Sequence, residues 1–447
     1  MKASVRMTSL ALLLSGSAAA LAATPVDGRW DAQLVRGEST IPFRLDISSD
    51  GGTVKGTFYD GFKPYEYSTS ASFKDGKLVL NIEHYLTSIN AELKDGKLVG
   101  QVFSQSRSNR SDYGFAATRH DDAAYAKAVA AQAPNIAGDW EIPLAATSAK
   151  GEKAFHFIVE QHGAEVAASI LRIDGDTGAY SGVFKDGKWQ LSHFDGSRPG
   201  NITVSQNSDG TLQVIQGGDR GAARRGAAAG GEEDVYSGVQ NGRNTPVLVA
   251  YRPDVARAKG LPAPDQPLTH TTARDAKEKF AFNFKDLYGK QQSQDDPYYK
   301  GQVVLAIVTG TWCPNCHDEA QYLVELDKKY RDKGLRIVAL DFEEVEQQAS
   351  LERAKAFVTQ YGVKYPYLVA GAPEEMWEKV PQLVNLNTWP ATVFVGRDGT
   401  VRAVHAGFAS LSTGDLRTKQ DNEFTQRIEA LLAEKAAVDT RVSANIQ

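Results

Sequence analysis

Two cysteines, Cys313 and Cys316, are the residues of this sequence best placed to do chemistry. They are the only cysteines among 447 residues, and they lie in the run Trp-Cys-Pro-Asn-Cys-His. Two cysteines are too few for a disulfide-rich scaffold or for a zinc site with four cysteine ligands. Spaced three apart, they can form one reversible disulfide, so dithiol redox chemistry is the first hypothesis.

The cysteines fall between two predicted elements of secondary structure. Residues 303–308 form a continuous apolar run, as expected for a strand buried on both faces, and Leu323, Leu326 and Tyr330 follow with helical spacing. The other predicted elements are strand 335–340, helix 351–361, a hairpin of strands 392–395 and 401–404, and helix 424–432. This order predicts an α/β domain with a central sheet covered by helices on both faces.

This placement gives the two thiols different tasks. At a helix N-terminus, Cys313 lies over unpaired backbone N–H groups and the positive end of the helix dipole, which lowers the pKa of a thiol. Cys316, one turn further along, is placed to attack a mixed disulfide formed by Cys313. Pro314 suits the first helical position, where its missing N–H is not needed. We therefore expect Cys313 to be partly exposed and Cys316 to be buried.

Other chemistries remain open for the same residues. Cys-Pro-Asn-Cys-His is also the attachment motif of c-type haem, with His317 as an axial ligand, but Met376 has no haem-like context. A purely structural disulfide would close too short a loop to stabilise the fold much. A peroxiredoxin-like site is disfavoured, because the residues before each cysteine do not fit Pro-x-x-x-Thr/Ser-x-x-Cys. The strand–turn–helix context favours a thioredoxin-like dithiol.

The region from residue 270 to about residue 435 resembles the TlpA/ResA-like branch of the thioredoxin superfamily, the exported thiol–disulfide oxidoreductases. The matching motifs are Phe284-Lys285-Asp286-Leu287, Gly301-Gln302-Val303-Val304, Thr311-Trp312-Cys313-Pro314-Asn315-Cys316, Tyr365-Pro366-Tyr367, Trp389-Pro390-Ala391-Thr392, Gly396-Arg397-Asp398-Gly399 and Gly407-Phe408. The resemblance implies a thioredoxin-like fold over 270–435 and no cofactor beyond a redox-active disulfide. It also implies protein thiols and disulfides as substrates, and a membrane thiol-electron transporter as the reductant.

The resemblance also gives roles to residues around the cysteines. Pro390 matches the cis-proline that faces the cysteine pair and whose neighbouring backbone receives an extended substrate segment. Glu319, three residues past Cys316, matches an acid to which the family assigns tuning of the thiol pKa and proton relay. The implied substrate-binding residues are Trp312, Pro314, Trp389 and Pro390.

A repeat occupies the first half of the chain. The repeated segments are 27–30 with 137–140, 43–47 with 155–159, and 73–78 with 184–189, at offsets of 110, 112 and 111 residues. Within each copy, short alternating runs are separated by Asp-Gly pairs, which predict hairpins because Gly accepts the positive φ of a type I′ turn. Residues 25–118 and 134–252 are therefore interpreted as two antiparallel β units, each a small barrel or sandwich, or together one larger barrel. We identify no family for this repeat.

The remaining segments are predicted to be a leader, a loop, a linker and a tail. Residues 1–22 combine Lys2 and Arg6 with an apolar run and end on Ala-Leu-Ala, the form of a cleaved secretory signal peptide, so we expect a periplasmic or secreted protein. Residues 217–232 are too rich in Gly and Ala to bury a core and are expected to be a disordered loop. A Pro-rich linker over 253–269 and a flexible tail over 436–447 complete the chain.

The composition and charge of the sequence exclude some classes of binding partner. Apolar residues make up 42% and charged residues 23%, as in globular proteins, and a net charge of −5 argues against nucleic acid as the main partner. No stretch after the leader approaches about 18 apolar residues, so no membrane span is expected. We expect no metal site, since His84, His156, His162, His193 and His405 show no ligand spacing, and we expect Glu343-Glu344 and Glu374-Glu375 to be solvated. An envelope binding or scaffold protein, with the β repeat as its recognition part, is the rival function.

Overall fold

The structure is a computed structural model that describes residues 24–106, 109–176, 178–217 and 247–434. The predicted leader 1–22, the loop 217–232 beyond its first residue, and the tail 436–447 lie outside the described residues. Within them the chain folds as two antiparallel β units followed by an α/β domain.

The first β unit is one antiparallel sheet that curls around its own core. Its strands are β1 Gly28–Arg36, β2 Ser39–Asp50, β3 Thr53–Asp60, β4 Lys63–Tyr67, β5 Ser70–Lys74, β6 Lys77–Ile82, β7 Thr87–Lys94, β8 Lys97–Ser106 and β9 Asn109–Arg119, in the spatial order β4-β3-β2-β1-β9-β8-β7-β6-β5. The two ends of the sheet approach each other where a Cβ at Gly56 of β3 would lie 2.8 Å from the Leu80 side chain of β6. The inward residues, Trp30, Leu45, Phe58 and Leu80 among them, are fully buried.

The second β unit repeats this design and closes more completely. Its strands are β10 Gly138–Pro143, β11 Ala154–His162, β12 Glu165–Leu171, β13 Tyr180–Lys185, β14 Lys188–His193, β15 Gly200–Gln206, β16 Leu212–Gly217 and β17 Val247–Ala250, paired in chain order. Glu141 and Tyr251 exchange two backbone hydrogen bonds of 2.8 Å and join the first strand to the end of the last. Helix α1, Asp122–Val129, connects the units. The units are therefore two separate sheets, and the alternative of one larger barrel is wrong.

The repeat is visible in matching side-chain contacts. Trp30 and Trp140 are buried at the start of their units, and each donates its indole N–H to the carbonyl four residues earlier, at 2.8 and 2.9 Å. Arg119 and Arg252, near the end of each unit, stack over these rings at 4.0 and 3.8 Å. The same cation–π contact thus ties the last strand region to the first in both copies.

The Asp-Gly pairs form the tight turns that their chemistry predicts. Asp75, Asp95 and Asp186 have φ values of 52°, 50° and 52°, and the glycines that follow have 76°, 74° and 79°. Two successive residues with positive φ define the type I′ turn, whose twist matches that of the flanking strands. The sequence prediction of hairpins is confirmed at these positions.

The α/β domain is built on a mixed sheet. Its strands are β18 Thr272–Ala273, β19 Asn283–Asp286, β20 Gln291–Ser293, β21 Val303–Thr309, β22 Leu335–Phe342, β23 Tyr367–Gly371, β24 Leu383–Val384, β25 Ala391–Val395 and β26 Val401–Ala406. The main sheet has the order β20-β19-β23-β22-β21-β25-β26, with β21, β22 and β23 parallel, and β18 pairs with β24 separately. The helices are α2 Pro253–Ala258, α3 Pro267–His270, α4 Pro314–Tyr330, α5 Val345–Gln348, α6 Glu352–Tyr361, α7 Met376–Lys379 and α8 Asp415–Ala433.

Alternate residues of β21 point into two different cores. Leu305 packs with residues of α4, α6 and α8, so the three long helices cover one face of the sheet. Ala306 packs on the other face, which is covered by α7 and by aromatic residues such as Phe280. The expected α/β sandwich is therefore confirmed, although its second face holds only a short helix.

Two parts of this domain differ from the sequence interpretation. Strand β23 lies between α6 and the β25–β26 hairpin and was not predicted as a strand, because its run of five residues is short. The region expected to be a stiff linker contains α2 and α3, each beginning at a proline, Pro253 and Pro267. Proline suits this first helical position. No helix among the described residues is long and apolar enough to cross a membrane.

We predict that the type I′ turns contribute equally to the two β units. Gly76→Ala and Gly187→Ala place a Cβ in open space but at φ values of 76° and 79°, so each variant should lose about 1 kcal/mol of unfolding free energy. Gly114→Ala, in a strand and without positive φ, is the control and should change stability by less than about 0.5 kcal/mol. Urea-unfolding midpoints measure this, and equal stability of all three variants would contradict the turn assignment.

Candidate active site

The two cysteines lie where β21 meets α4. Cys313 is the N-cap residue of α4 with extended backbone, and Pro314 is the first helical residue. The Cys316 N–H donates to the Cys313 carbonyl at 3.0 Å. No disulfide joins the thiols, and both are buried, with 3% and 1% of the residue exposed. The predicted strand–turn–helix placement is confirmed.

Their surroundings separate the two thiols in acidity. Burial opposes ionisation of Cys313, but the hydrogen bond from Cys316 and the positive charge of Arg198 lower the pKa of Cys313 below its ordinary value. Burial and the neighbouring Cys313 raise the pKa of Cys316 well above its ordinary value. Cys313 is therefore the more readily ionised of the two thiols.

Three of the residues implied for substrate binding, Trp312, Trp389 and Pro390, lie near Cys313. The Trp389–Pro390 peptide bond is cis, and the Cys313 thiol lies 3.4 Å from the Trp389 carbonyl oxygen. The rings of Trp312 and Trp389 meet edge to face with centroids 5.2 Å apart. The Trp312 indole N–H donates to the Phe342 carbonyl at 3.0 Å, which fixes the ring beside the thiol.

Glu319 is a fully buried carboxyl on α4. It accepts a hydrogen bond from the Thr392 hydroxyl, and its second oxygen has no partner in the described part of the chain. Burial raises the pKa of Glu319 to about 8, with the Thr392 hydrogen bond opposing this and the charge of Cys313 adding to it. Because Glu319 and Cys313 influence each other electrostatically, this carboxyl can hold or release a proton as the dithiol changes state.

The expectation that Cys313 is partly exposed is wrong in this structure, because the second β unit covers the site. Residues 172–176 form a tight turn after β12 that lies on the N-terminus of α4. The carbonyl of Asp174 accepts hydrogen bonds from the Asn315 side chain at 2.8 Å and from the Phe408 N–H at 3.3 Å. Asp176 accepts hydrogen bonds from the Ser410 N–H at 2.9 Å and hydroxyl at 2.7 Å.

Glycines on both sides allow this close contact. A Cβ at Gly175 would lie 2.3 Å from the Phe408 carbonyl oxygen and 2.4 Å from the Asn315 side-chain carbonyl carbon. A Cβ at Gly407 would lie 2.1 Å from the Ile173 carbonyl oxygen. Both glycines also have positive φ, 124° and 70°. Backbone therefore packs on backbone next to the dithiol, with no side chain between them.

The first β unit contacts α4 from another side, through a cluster that the sequence interpretation missed. Glu66, His84 and His317 are all buried, and one possible ligand atom from each lies within 4.8 Å of the others. Both nitrogens of His317 are engaged, with the Thr311 carbonyl at 2.7 Å and the Tyr361 hydroxyl at 2.8 Å. No sequence spacing signalled the cluster, since its members are 18 and 233 residues apart.

The acidic pair Glu343-Glu344 is another correction. These residues were expected to be solvated, but they are only 0% and 5% exposed and both form ion pairs with the buried Arg353. Arg353 also donates to the Thr311 hydroxyl at 3.0 Å. The ion pairs therefore brace the loop before the cysteines, since a buried charge requires a partner.

Comparison with known proteins agrees with this geometry for the C-terminal part. Residues 270–417 match the family model described as Redoxin. Thiol-disulfide oxidoreductase ResA of Bacillus anthracis is 34% identical over 125 residues, covering 28% of this chain and 65% of ResA. Thioredoxin-like protein YneN of Bacillus subtilis is 29% identical over 126 residues, covering 28% of this chain and 68% of YneN. The chain thus spans slightly less than two thirds of the ResA relative's length.

Two solved structures are similar to a little over a third of this chain. A thiol:disulfide interchange protein of the thioredoxin family from Chlorobium tepidum is 20% identical and covers 36% of this chain and 99% of its own, with a TM-score of 0.29. A secreted thiol-disulfide isomerase from Corynebacterium glutamicum is 16% identical and covers 39% of this chain and 97% of its own, with a TM-score of 0.30.

The fold and the dithiol define a thioredoxin-like domain. Through the Redoxin match over 270–417 and the ResA relatives, this C-terminal domain is similar to the TlpA/ResA-like thiol–disulfide oxidoreductases of the thioredoxin superfamily. The two β units lie outside the matched residues.

We predict that weakening the 172–176 contact exposes Cys313. Gly175→Ala puts a Cβ into the Phe408 backbone, so the closed arrangement should lose at least about 1.4 kcal/mol and alkylation of reduced Cys313 should speed up about tenfold or more. Gly187→Ala is the matched control, because it has the same change at positive φ but no neighbour within 4 Å. Iodoacetamide labelling followed by mass spectrometry measures both rates. Equal rates in the two variants would show that this contact does not limit access.

We predict a pH-dependent stability difference for Glu319→Gln. The pKa of Glu319 is about 8 in the fold against 4.5 unfolded, so between these values the unfolded chain releases a proton that the folded chain keeps. Stability of the natural protein therefore falls as pH rises through this window, by at most about 1.4 kcal/mol per pH unit from this group. Gln keeps the oxygen that accepts from Thr392 but cannot titrate.

The variant's advantage in unfolding free energy should consequently grow between about pH 5 and pH 8. Urea titrations at several pH values measure this difference. Glu378→Gln, a change at an exposed position of α7, is the control and should follow the natural protein. If the difference in unfolding free energy between Glu319→Gln and the natural protein does not change with pH, the raised pKa of Glu319 is contradicted.

Proposed function

We propose that this protein is an exported thiol–disulfide oxidoreductase that reduces protein disulfides with the dithiol Cys313–Cys316. The observation that carries the proposal is the separation of the two thiols in acidity at the N-terminus of α4, opposite the cis peptide bond of Pro390. The ResA relatives, named as thiol-disulfide oxidoreductases, support the same chemistry.

The reaction follows from the order in which the thiols ionise. The Cys313 thiolate attacks one sulfur of a substrate disulfide, the substrate S–S bond breaks, and a substrate thiolate leaves. Cys316 then loses its proton and attacks the Cys313 sulfur of the mixed disulfide. The second substrate thiolate leaves, both substrate sulfurs are reduced, and the Cys313–Cys316 disulfide holds the oxidising equivalents.

Glu319 supports the second step. Cys316 must release a proton inside the fold, and its raised pKa makes that release unfavourable without an acceptor. Glu319, buried on the same helix and ionising only near pH 8, is suited to exchange that proton. The disulfide must then be reduced by an external dithiol, for which a membrane thiol-electron transporter is the proposed donor.

Access to Cys313 is part of the proposal. In the closed arrangement the 172–176 turn and the Trp389 backbone leave no room for a protein segment beside the thiol. The second β unit must therefore move before a protein disulfide is reduced. The rival function, an envelope scaffold with a secondary dithiol, does not require this movement to be coupled to thiol exchange.

We predict that the two cysteines are not interchangeable. Cys313→Ser should abolish reduction of a protein disulfide, whereas Cys316→Ser should accumulate a mixed disulfide between Cys313 and the substrate, because the resolving thiol is gone. Insulin reduction and non-reducing gels with mass spectrometry measure both outcomes. Since the chain has no third cysteine, no other thiol can compensate. Turnover by Cys313→Ser would contradict the mechanism. The required movement would be contradicted if the natural protein is fully active while Gly175→Ala leaves the alkylation rate of Cys313 unchanged.

A further inference from the structure

The cluster of Glu66, His84 and His317 lies behind the dithiol, at the contact between the first β unit and α4. Glu66 comes from β4, His84 from a short 3-10 helix over Glu83–Tyr85, and His317 follows Cys316 directly. Their exposed fractions are 2%, 0% and 0%. The hydroxyl of Tyr361, at the end of α6, completes the group.

Three distances within the cluster are slightly shorter than the donor spacing of a coordination shell. Glu66 Oε2 lies 3.1 Å from His84 Nε2 and 3.1 Å from the Tyr361 hydroxyl, which lies 2.8 Å from His317 Nδ1. Donors around a tetrahedral zinc ion, with bonds of about 2.0–2.2 Å, are spaced about 3.3 Å apart. An expansion of a few tenths of an ångström therefore brings these three pairs to coordination spacing, and the ligand atoms of Glu66, His84 and His317 all lie within 4.8 Å of one another.

The orientation of His317 is already that of a metal ligand. Its Nε2 faces the Thr311 carbonyl oxygen at 2.7 Å, and a carbonyl can only accept, so the ring proton is on Nε2 and Nδ1 presents a lone pair to the cluster. Metal-binding histidines commonly hold their second nitrogen to a carbonyl in this way.

Hydrogen bonds alone leave the cluster short of one positive charge or proton. The Tyr361 hydroxyl has one proton but faces two acceptors, the lone pair of His317 and the carboxylate of Glu66. If His84 donates from Nε2 to Glu66, its Nδ1 has no partner among the described residues. The other Glu66 oxygen accepts hydrogen bonds from the Tyr67 N–H at 2.8 Å and the Gln360 amide at 3.3 Å, but these donors are neutral. The ion pair recorded for Glu66 among the described residues is with His84, and no lysine or arginine there compensates the buried carboxylate.

We propose that Glu66, His84 and His317 bind a divalent transition-metal ion, with Zn²⁺ as the best match and the Tyr361 oxygen as the fourth donor. Two imidazoles and one carboxylate suit zinc, whereas magnesium and calcium prefer all-oxygen sites. The ion supplies the missing charge and links the first β unit to α4 next to Cys316. The rival account is a proton on Glu66 or His84 in place of the ion.

The test uses the full chain with Cys313 and Cys316 oxidised, so that the thiols cannot bind metal. After dialysis against Zn²⁺ and then metal-free buffer, elemental analysis should find one zinc ion per chain. Co²⁺ in its place should give d–d absorption bands of a nitrogen and oxygen site without a thiolate charge-transfer band. Thermal unfolding should shift upward with Zn²⁺, because the ion binds the folded chain.

His84→Gln and Glu66→Gln should lose the zinc, the cobalt spectrum and the thermal shift. His162→Ala is the matched control, because His162 is exposed and lies 3.2 Å from Glu160 in a histidine–carboxylate pair on the surface. It should retain all three signals. Absence of zinc from the natural chain overturns the proposal in favour of a bound proton. If His84→Gln and Glu66→Gln both fold and retain zinc, or if only His162→Ala loses it, the assigned ligands are wrong.

Discussion

The hydrogen bonds accepted by the Asp174 carbonyl are the interaction on which the arrangement around the dithiol depends. One donor is the Asn315 side chain, inside the Cys-x-x-Cys motif, and the other is the Phe408 N–H, after β26. The turn that carries Asp174 belongs to the second β unit. A single carbonyl thus ties together two segments of the thioredoxin-like domain and the unit that covers them, and the absence of side chains at Gly175 and Gly407 permits the approach.

Covering the dithiol changes its chemistry as well as its accessibility. Burial by itself disfavours a thiolate, yet the same unit that buries Cys313 contributes Arg198, whose positive charge lowers the pKa of Cys313. It also contributes Asp174, whose charge opposes this effect but is paired with Lys150 at 2.6 Å. The covering unit is therefore part of the electrostatic environment of the thiol, and its movement would alter both exposure and acidity.

Local chemistry made much of the fold predictable. The Asp-Gly turns, the buried strand before Cys313 and the helix after it each depend on a few neighbouring residues, and all were expected from the sequence. Contacts between the units were not expected from the sequence, because they join segments far apart in the chain. Glu343 and Glu344 illustrate this. An acidic pair in the sequence predicts exposure to solvent, whereas in the fold both carboxylates are buried because they form ion pairs with Arg353. The exposure of Cys313 was misjudged for the same reason.

The residues on either side of Cys316 contact different β units. Asn315 donates to the second unit, whereas His317 packs against His84 and Tyr85 of the first, with ring centroids 5.0 and 4.4 Å apart. The first turn of α4 is therefore held from two directions by one repeated fold. The covering turn contacts Asn315 and Phe408 rather than His317, so the two β units hold this part of the domain through separate contacts. Duplication of the β unit thus provides one copy to cover Cys313 and one to support the helix turn that carries Cys316.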